Sequence, residues 1–248
     1  MTTNMATKYD ADFFKENVEG SLRSARVVVP LVLELTKAKS VVDFGCGMGT
    51  WLRAFGENGV DEVLGLDGPY VDRSRFEVDP SRFRESDLSK PIKVDRTYDL
   101  ATCLEVGEHL PTRSSRDLID SLAAAAPIVL FSAAVPGQGG TDHRNEQWPG
   151  FWEKLFSRAG MSQVDVIRPR IFGNLDVEWW YRQNVFLYAK DPRSLLSSSE
   201  GPGQRLDIIF PSIFYRYKSL PGLCRETARA AVRGVRNRLA RRGWDRSP

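Results

Sequence analysis

A short apolar run, Ser40-Val41-Val42-Asp43-Phe44, passes directly into Gly45-Cys46-Gly47-Met48-Gly49 and then into a helical stretch over 50–58. Strand, glycine turn and helix in that order constrain the chain more than any other feature. Glycines let the backbone come close to a ligand, and a helix N-terminus offers free N–H donors. Thr50 is expected to cap the helix, with Asn58-Gly59 as its stop. An acid at the end of the next strand suits a ribose, and Asp67 stands 18 residues after Gly49. The turn by itself specifies only a nucleotide-like ligand.

The same alternation continues downstream. Strands are expected over 62–66, just before Asp87, and over 98–104, 128–132, 164–167 and 185–189, with helices over 113–126 and 148–159. Residues 10–37 read as two helices, with Pro30 kinking the second or starting a new one. This pattern predicts an α/β fold, Rossmann-like, whose mostly parallel sheet is covered by helices on both faces. Four segments follow: an N-terminal helical lid (1–37), an α/β domain (38–190), a linker of Ser, Gly and Pro composition (191–204) and a basic C-terminal extension (205–248).

Charge separates these segments. Residues 205–248 hold eleven Lys/Arg against three Asp/Glu, a net +8, so a total of +3 leaves −5 on the rest. A mildly acidic main domain argues against a nucleic-acid surface spread over the fold. No stretch approaches the run of about 18 apolar residues that spans a bilayer. The start, MTTNMATKYDADFF, lacks the basic-then-apolar order of a signal peptide, so a cytoplasmic protein is expected. Cys46, Cys103 and Cys224 form neither a disulfide framework nor a zinc pattern, in keeping with a reducing compartment.

The ligand can be narrowed further. A dinucleotide turn reads G-x-G-x-x-G, whereas this one reads G-x-G-x-G with Thr50 in the sixth place. Asp43 lies just before the turn, where an acid is ill-suited to a pyrophosphate and well suited to a positive amino group. The α-amino group of methionine is such a group, which favours S-adenosylmethionine over NAD.

Four segments in order then carry a family resemblance: Val41 through Thr50, Leu64-Gly65-Leu66-Asp67, Ser86-Asp87-Leu88, and Tyr98-Asp99-Leu100 through Leu104-Glu105-Val106. Together they resemble the motifs of class I S-adenosylmethionine-dependent methyltransferases over roughly residues 38–190. More narrowly, residues 143–184 resemble unassigned bacterial methyltransferases of sugars and secondary metabolites. The resemblance implies seven strands with the last antiparallel. It implies that Asp67 holds the ribose, that Asp87 and Leu88 meet the adenine, and that Gly45, Cys46, Gly47 and Gly49 hold the methionine part. Asp43, Trp51 and Glu105 complete the expected cofactor contacts.

The acceptor side centres on the chain's two histidines. His109 ends Glu105-Val106-Gly107-Glu108-His109, and His143 lies in a glycine-rich loop after the fifth strand. Three roles are open to them: general base with Glu108 nearby, ligands with Glu105 and Glu108 for Mg²⁺ or another divalent cation, or structure alone. The E-x-x-E-H pattern resembles small-RNA 2′-O-methyltransferases and some quinone-biosynthesis enzymes, where it accompanies a metal. Asn145, Gln147 and Trp148 in the same loop, and Trp179, Tyr181, Arg182 and Gln183 before the last strand, are candidate acceptor contacts. Tyr9, Phe13, Phe14 and Arg23 are the candidates on the lid, which would exclude water from the transfer.

These readings point to O-methylation of a polar small molecule such as a sugar or secondary metabolite. The rivals are an RNA 2′-O-methyltransferase, an NAD(P)-dependent oxidoreductase, and a protein that binds S-adenosylmethionine without catalysis. The basic segment 225–242 reads as a solvated helix that covers an apolar patch or makes a homodimer contact, in preference to a membrane- or RNA-binding one.

Overall fold

The structure is a computed structural model that describes residues 11–196, with side chains from Glu19 onward. The chain divides into two units, Met1–Asp207 and Ile208–Pro248, and all described residues belong to the first. The expected basic helix over 225–242 lies outside the described residues, as does most of the expected linker. Among the described residues no helix is long and apolar enough to cross a membrane.

Seven strands form one sheet: β1 (Ser40–Phe44), β2 (Glu62–Asp67), β3 (Phe83–Glu85), β4 (Leu100–Leu104), β5 (Ile128–Ser132), β6 (Ser162–Val164) and β7 (Phe186–Ala189). Their order is β3-β2-β1-β4-β5-β7-β6. β7 runs antiparallel to both β5 and β6, and the other pairs are parallel. The chain moves outward from β1 to β3 and then returns to place β4 on the other side of β1. Loops leaving β1 and β4 diverge at that switch point, which opens a crevice at the carboxyl ends of the strands.

Side-chain alternation along the strands builds two cores, one on each face. Val41, Leu100, Leu130 and Leu187 point to one. Val42, Val129, Phe131, Phe186 and Tyr188 point to the other. The helices α1 (Ala11–Thr36), α2 (Thr50–Glu57), α5 (Arg168–Ile171) and α6 (Trp179–Asn184) contribute residues to the first core. The second is covered by α3 (Ser115–Ala125) and α4 (Pro149–Arg158). There the Phe156 and Tyr188 rings stack with centroids 3.8 Å apart.

Three expectations are corrected. The N-terminal segment is one helix that carries Pro30 inside it. A proline in a helix interior costs about 3 kcal/mol. Pro30 is exposed, so water can reach the carbonyl it leaves unbonded, whereas Val28, Val29 and Val32 are wholly buried. At roughly 1.5–3 kcal/mol each, those three outweigh the proline. Gly49 rather than Thr50 is the N-cap of α2, in the left-handed region with φ 81°, and Thr50 is already helical. Ordered structure also runs past residue 191: a 3₁₀ turn over Pro192–Leu195 buries Leu195 in the first core.

β6 runs over Ser162–Val164 where a strand is expected over 164–167, and it ends three residues early because Asp165 turns away to pair with Arg168. Arg168 is 1% exposed. It donates through Nε to Asp165 (2.9 Å), through Nη2 to the same carboxylate, and through Nη1 to the Gln183 carbonyl (3.0 Å). Its guanidinium also lies 4.0 Å from the centre of the Phe186 ring. One cation thus ties β6, α6 and β7 together beneath the site. Removing one partner of such a buried pair leaves the other charge stranded. Asp165→Ala is therefore expected to destabilise the fold by about 3–5 kcal/mol, read as a lower thermal midpoint; an unchanged midpoint would show that the pair is dispensable.

Candidate active site

The glycine turn is fastened from the neighbouring strand. Gly45 and Cys46 donate backbone N–H bonds to the Leu66 carbonyl, at 2.7 and 3.3 Å. Gly47 donates to Asp67 Oδ2 at 2.7 Å. Gly45 has φ 86°, and a Cβ there would fall 2.3 Å from a methyl of Val106, in the loop after β4. The Val106 side chain therefore packs directly on the backbone of Gly45, in space that any other residue would fill with its Cβ. Gly47 also has φ 51°, yet a Cβ there would meet nothing within 4 Å. The concave side of the turn is open at that residue.

Buried acids gather behind the turn. Asp43 is 3% exposed and accepts a 2.6 Å bond from Thr102 Oγ1. Burial, opposed by that bond and reinforced by the charge of Asp67, pushes its pKa up to about 7. Asp67 Oδ1 accepts from Gly68 N (2.7 Å) and from the hydroxyl of Tyr70. Tyr70 has a largely exposed ring, and no sequence pattern pointed to it. The clasp outside the turn was missed as well: Glu77 N bonds Met48 O (2.7 Å), and Arg53 pairs with Glu77 (2.6 Å). Its partners are 24 or more residues apart and carry no periodic signal.

Other expected cofactor residues take varied positions. Asp87 is spent on its own turn, bonding Ser89 N and Oγ and the Lys90 ammonium, which holds its pKa down to about 2. Leu88 is buried in the second core. Trp51 packs edge-on against Tyr181 with centroids 5.2 Å apart. Its indole N–H is buried without a partner.

Across the crevice, β4 is followed by Glu105, whose φ of 55° turns the chain sharply. Glu105 N reaches the carbonyl (3.0 Å) and hydroxyl (3.2 Å) of Ser132 at the end of β5. Its carboxylate is held by Gln138 Nε2 (2.7 Å) and Asn184 Nδ2 (3.4 Å). Glu108 is fully buried, and neither carboxylate oxygen has a hydrogen-bond partner. Burial first, and the charge of Glu105 second, push its pKa well above the usual range.

Of the four expected metal ligands, three converge. Ligand atoms of Glu108, His109 and His143 all lie within 4.8 Å of one another. Glu105 is not in this group, because Gln138 and Asn184 hold its carboxylate. The two imidazoles meet edge to face at 4.9 Å. Loss of water on its inner side, together with the nearby His143, pushes His109 down to about 4. His143 Nδ1 lies 3.0 Å from Glu146 Oε1. Glu146 also accepts from Gly137 N (2.8 Å) and Gly139 N (2.9 Å). Nothing in the sequence distinguishes Glu146 from any other charged residue of that loop.

Several expected acceptor contacts serve the scaffold instead. Asn145 donates to Gly107 O (3.1 Å) and Ser115 Oγ (2.9 Å) and accepts from Gln147 Nε2 (3.0 Å), which locks the loop onto β4 and α3. Arg23 bonds the Asp176 carbonyl and Glu178. Arg182 donates to Phe172 O, and the buried Gln183 donates to Asn184. Tyr181 is buried and bonds Ser21 Oγ at 2.9 Å. Trp148 is half exposed beside the histidine loop, and Trp179 is partly exposed. Tyr9 and the side chains of Phe13 and Phe14 lie outside the described residues.

Residues 14–164 match a family model described as a methyltransferase domain. No curated protein matches the chain. Among solved structures, the sugar N-methyltransferase KedS8 from Streptoalloteichus sp. superposes with TM-score 0.56 at 14% identity, covering 77% of this chain and 96% of its own. The methyltransferase domain of a bacterial Hen1 protein gives 0.52 at 21% identity, covering 68% and 98%. DesVI of Streptomyces venezuelae gives 0.52 at 14%, covering 77% and 100%. At such identities the likeness shows the fold alone.

Asp43 makes the site's charge measurable. An acid whose pKa rises from 3.8 to about 7 on folding binds more protons folded than unfolded across that window. Its contribution therefore turns against the fold as pH rises through the window, and levels off above about 7. Asp43→Asn stays neutral throughout. The variant is expected to gain on the wild type between pH 4 and 8, by at most about 4 kcal/mol in the ligand-free protein. A constant gap across that range would contradict the raised pKa.

Proposed function

The chain belongs to the methyltransferase-domain family, matched over residues 14–164, and on that premise we propose that this S-adenosylmethionine-dependent enzyme methylates a hydroxyl of a polar small molecule, assisted by a divalent cation. One observation carries the reading: Glu108 is buried with no well-formed hydrogen bond to either carboxylate oxygen, within reach of two imidazoles. Buried polar groups are normally satisfied, and an isolated one calls for an explanation. A cation bound by this oxygen and these two nitrogens would supply it.

The other half of the crevice suits the methyl donor. Gly47 opens the turn toward a ligand, Asp67 offers a buried carboxylate for ribose hydroxyls, and the unpartnered indole N–H of Trp51 lies at the start of α2. Asp43 and Glu105 are the acids that would face the methionine ammonium, whose charge would favour their ionised forms. When bound, the donor supplies an electrophilic methyl on a sulfonium. The contact of Gly45 with Val106 keeps the two halves adjacent, so the protein contributes chiefly by holding the reacting groups in line. A cation on Glu108, His109 and His143 would bind the acceptor oxygen and ease loss of its proton. The partly exposed Trp148 and Trp179 offer flat apolar faces to the acceptor.

Calorimetry separates this reading from an oxidoreductase. S-adenosylhomocysteine should bind and NAD and NADP should not; the reverse preference would overturn it. Asp67→Ala is expected to weaken S-adenosylhomocysteine binding by up to about tenfold, at the low end of the roughly 1.5–3 kcal/mol of a charge-assisted hydrogen bond because Tyr70 already donates to that carboxylate.

The cation and the acceptor have separate tests. Chelation should abolish methyl transfer and Mg²⁺, Mn²⁺ or Co²⁺ should restore it, whereas unchanged turnover in EDTA would end the metal reading. Labelled methyl groups should enter hydroxylated small molecules, including sugar derivatives. Labelling of RNA alone would overturn the acceptor class.

A further inference from the structure

Glu146 makes three hydrogen bonds that no loop carboxylate needs for solubility. It accepts from Gly137 N at 2.8 Å, from Gly139 N at 2.9 Å, and stands 3.0 Å from His143 Nδ1. All three donors belong to the loop between β5 and α4. The Glu146 side chain is 22% exposed and that of His143 12%, so the pair is largely shielded from water.

The chemistry of the pair assigns the proton. A carboxylate is an acceptor only, so a neutral His143 must donate from Nδ1 and keep its lone pair on Nε2. The surroundings hold Nε2 in place. A Cβ on Gly140 would lie 2.3 Å from that nitrogen, so a side chain there would collide with it. Gly140 has φ 151°, a conformation other residues rarely adopt. The ring of His109 packs against the same imidazole.

We propose that Glu146 is a positioning residue: it fixes His143 in the Nδ1–H tautomer, aims the Nε2 lone pair at the site, and fastens the glycine loop in the same act. The inference rests on the reading of His143 as a working ring of the acceptor site. Carboxylates that orient a ligating histidine by its second nitrogen typically change metal affinity or activity 10–100-fold when removed. Here the same carboxylate also gathers two glycine amides, so ring orientation and loop conformation share one anchor.

Because the chain has two histidines, the tautomer can be read directly. Nitrogen-15 correlation spectra of the imidazoles, recorded on metal-stripped protein near pH 8.5, should show His143 as Nδ1–H; His109→Asn assigns the signals. In Glu146→Gln the amide must turn its NH₂ toward one of the former donors, and in Glu146→Ala all three bonds are lost. Both variants should shift His143 toward Nε2–H, while S-adenosylhomocysteine affinity stays within about twofold. Mn²⁺ affinity by calorimetry should fall 10–100-fold. An Nε2–H tautomer in the wild type overturns the proposal whether or not the variants fold. An unchanged tautomer in folded Glu146→Ala does the same. A wild type that binds no Mn²⁺ overturns the metal reading above and leaves the tautomer result to judge Glu146.

Discussion

A parallel sheet delivers the carboxyl ends of its strands to one edge, and in this chain those ends carry acids. Asp43 lies near the end of β1, Asp67 ends β2 and Glu105 follows β4, with Glu108 close behind. Like charges brought together out of water repel and lose hydration, so the arrangement must be held by something other than the acids' own preference. Two cores hold it, one on each face of the sheet, and backbone amides and side-chain donors soften it. Thr102 serves Asp43, Gly47, Gly68 and Tyr70 serve Asp67, and Gln138 with Asn184 serves Glu105. Glu108 alone is left without a well-formed hydrogen bond to its carboxylate. The electrostatic tension of the edge is therefore concentrated at one carboxyl group beside two imidazoles.

Local signals made the scaffold legible. Each apolar run that ended in glycine or an acid became a strand within two or three residues of its expected place, and 128–132 matched in full. Near-continuous apolar strands are the mark of a sheet buried on both faces, and that is what formed. What escaped the sequence depended on partners far along the chain. Pro30 reads as a helix breaker until Val28, Val29 and Val32 are seen buried. The early end of β6 depends on the grip of Arg168 on Asp165, and that grip depends on Phe186 and Gln183.

The site divides along the same line. The glycine turn and the acids at the strand ends were legible because they lie in short contiguous motifs, where spacing carries the geometry. The expected acceptor contacts were read as residue types, and types do not say which way a side chain faces. Asn145, Arg23, Arg182 and Gln183 have the polarity of substrate contacts, yet each donates hydrogen bonds within the protein. Glu146 looks like any loop acid, but its position opposite two glycine amides and an imidazole gives it a structural office. Hydrogen bonding that is satisfied internally and hydrogen bonding offered to a ligand look alike in one dimension.

Tyr70 has a consequence for the energetics of the crevice. Its hydroxyl already donates to Asp67, so this carboxylate is not waiting in bulk water. A ligand hydroxyl that takes the same oxygen replaces a protein hydroxyl, and the exchange trades one bond for a similar one. Affinity gained there is a difference between two nearly matched terms, while the released tyrosine, with most of its ring exposed, regains rotational freedom. Such a site is tuned by exchange, in the way a buffered solution resists a single addition: small changes in either partner move its occupancy gradually and in both directions.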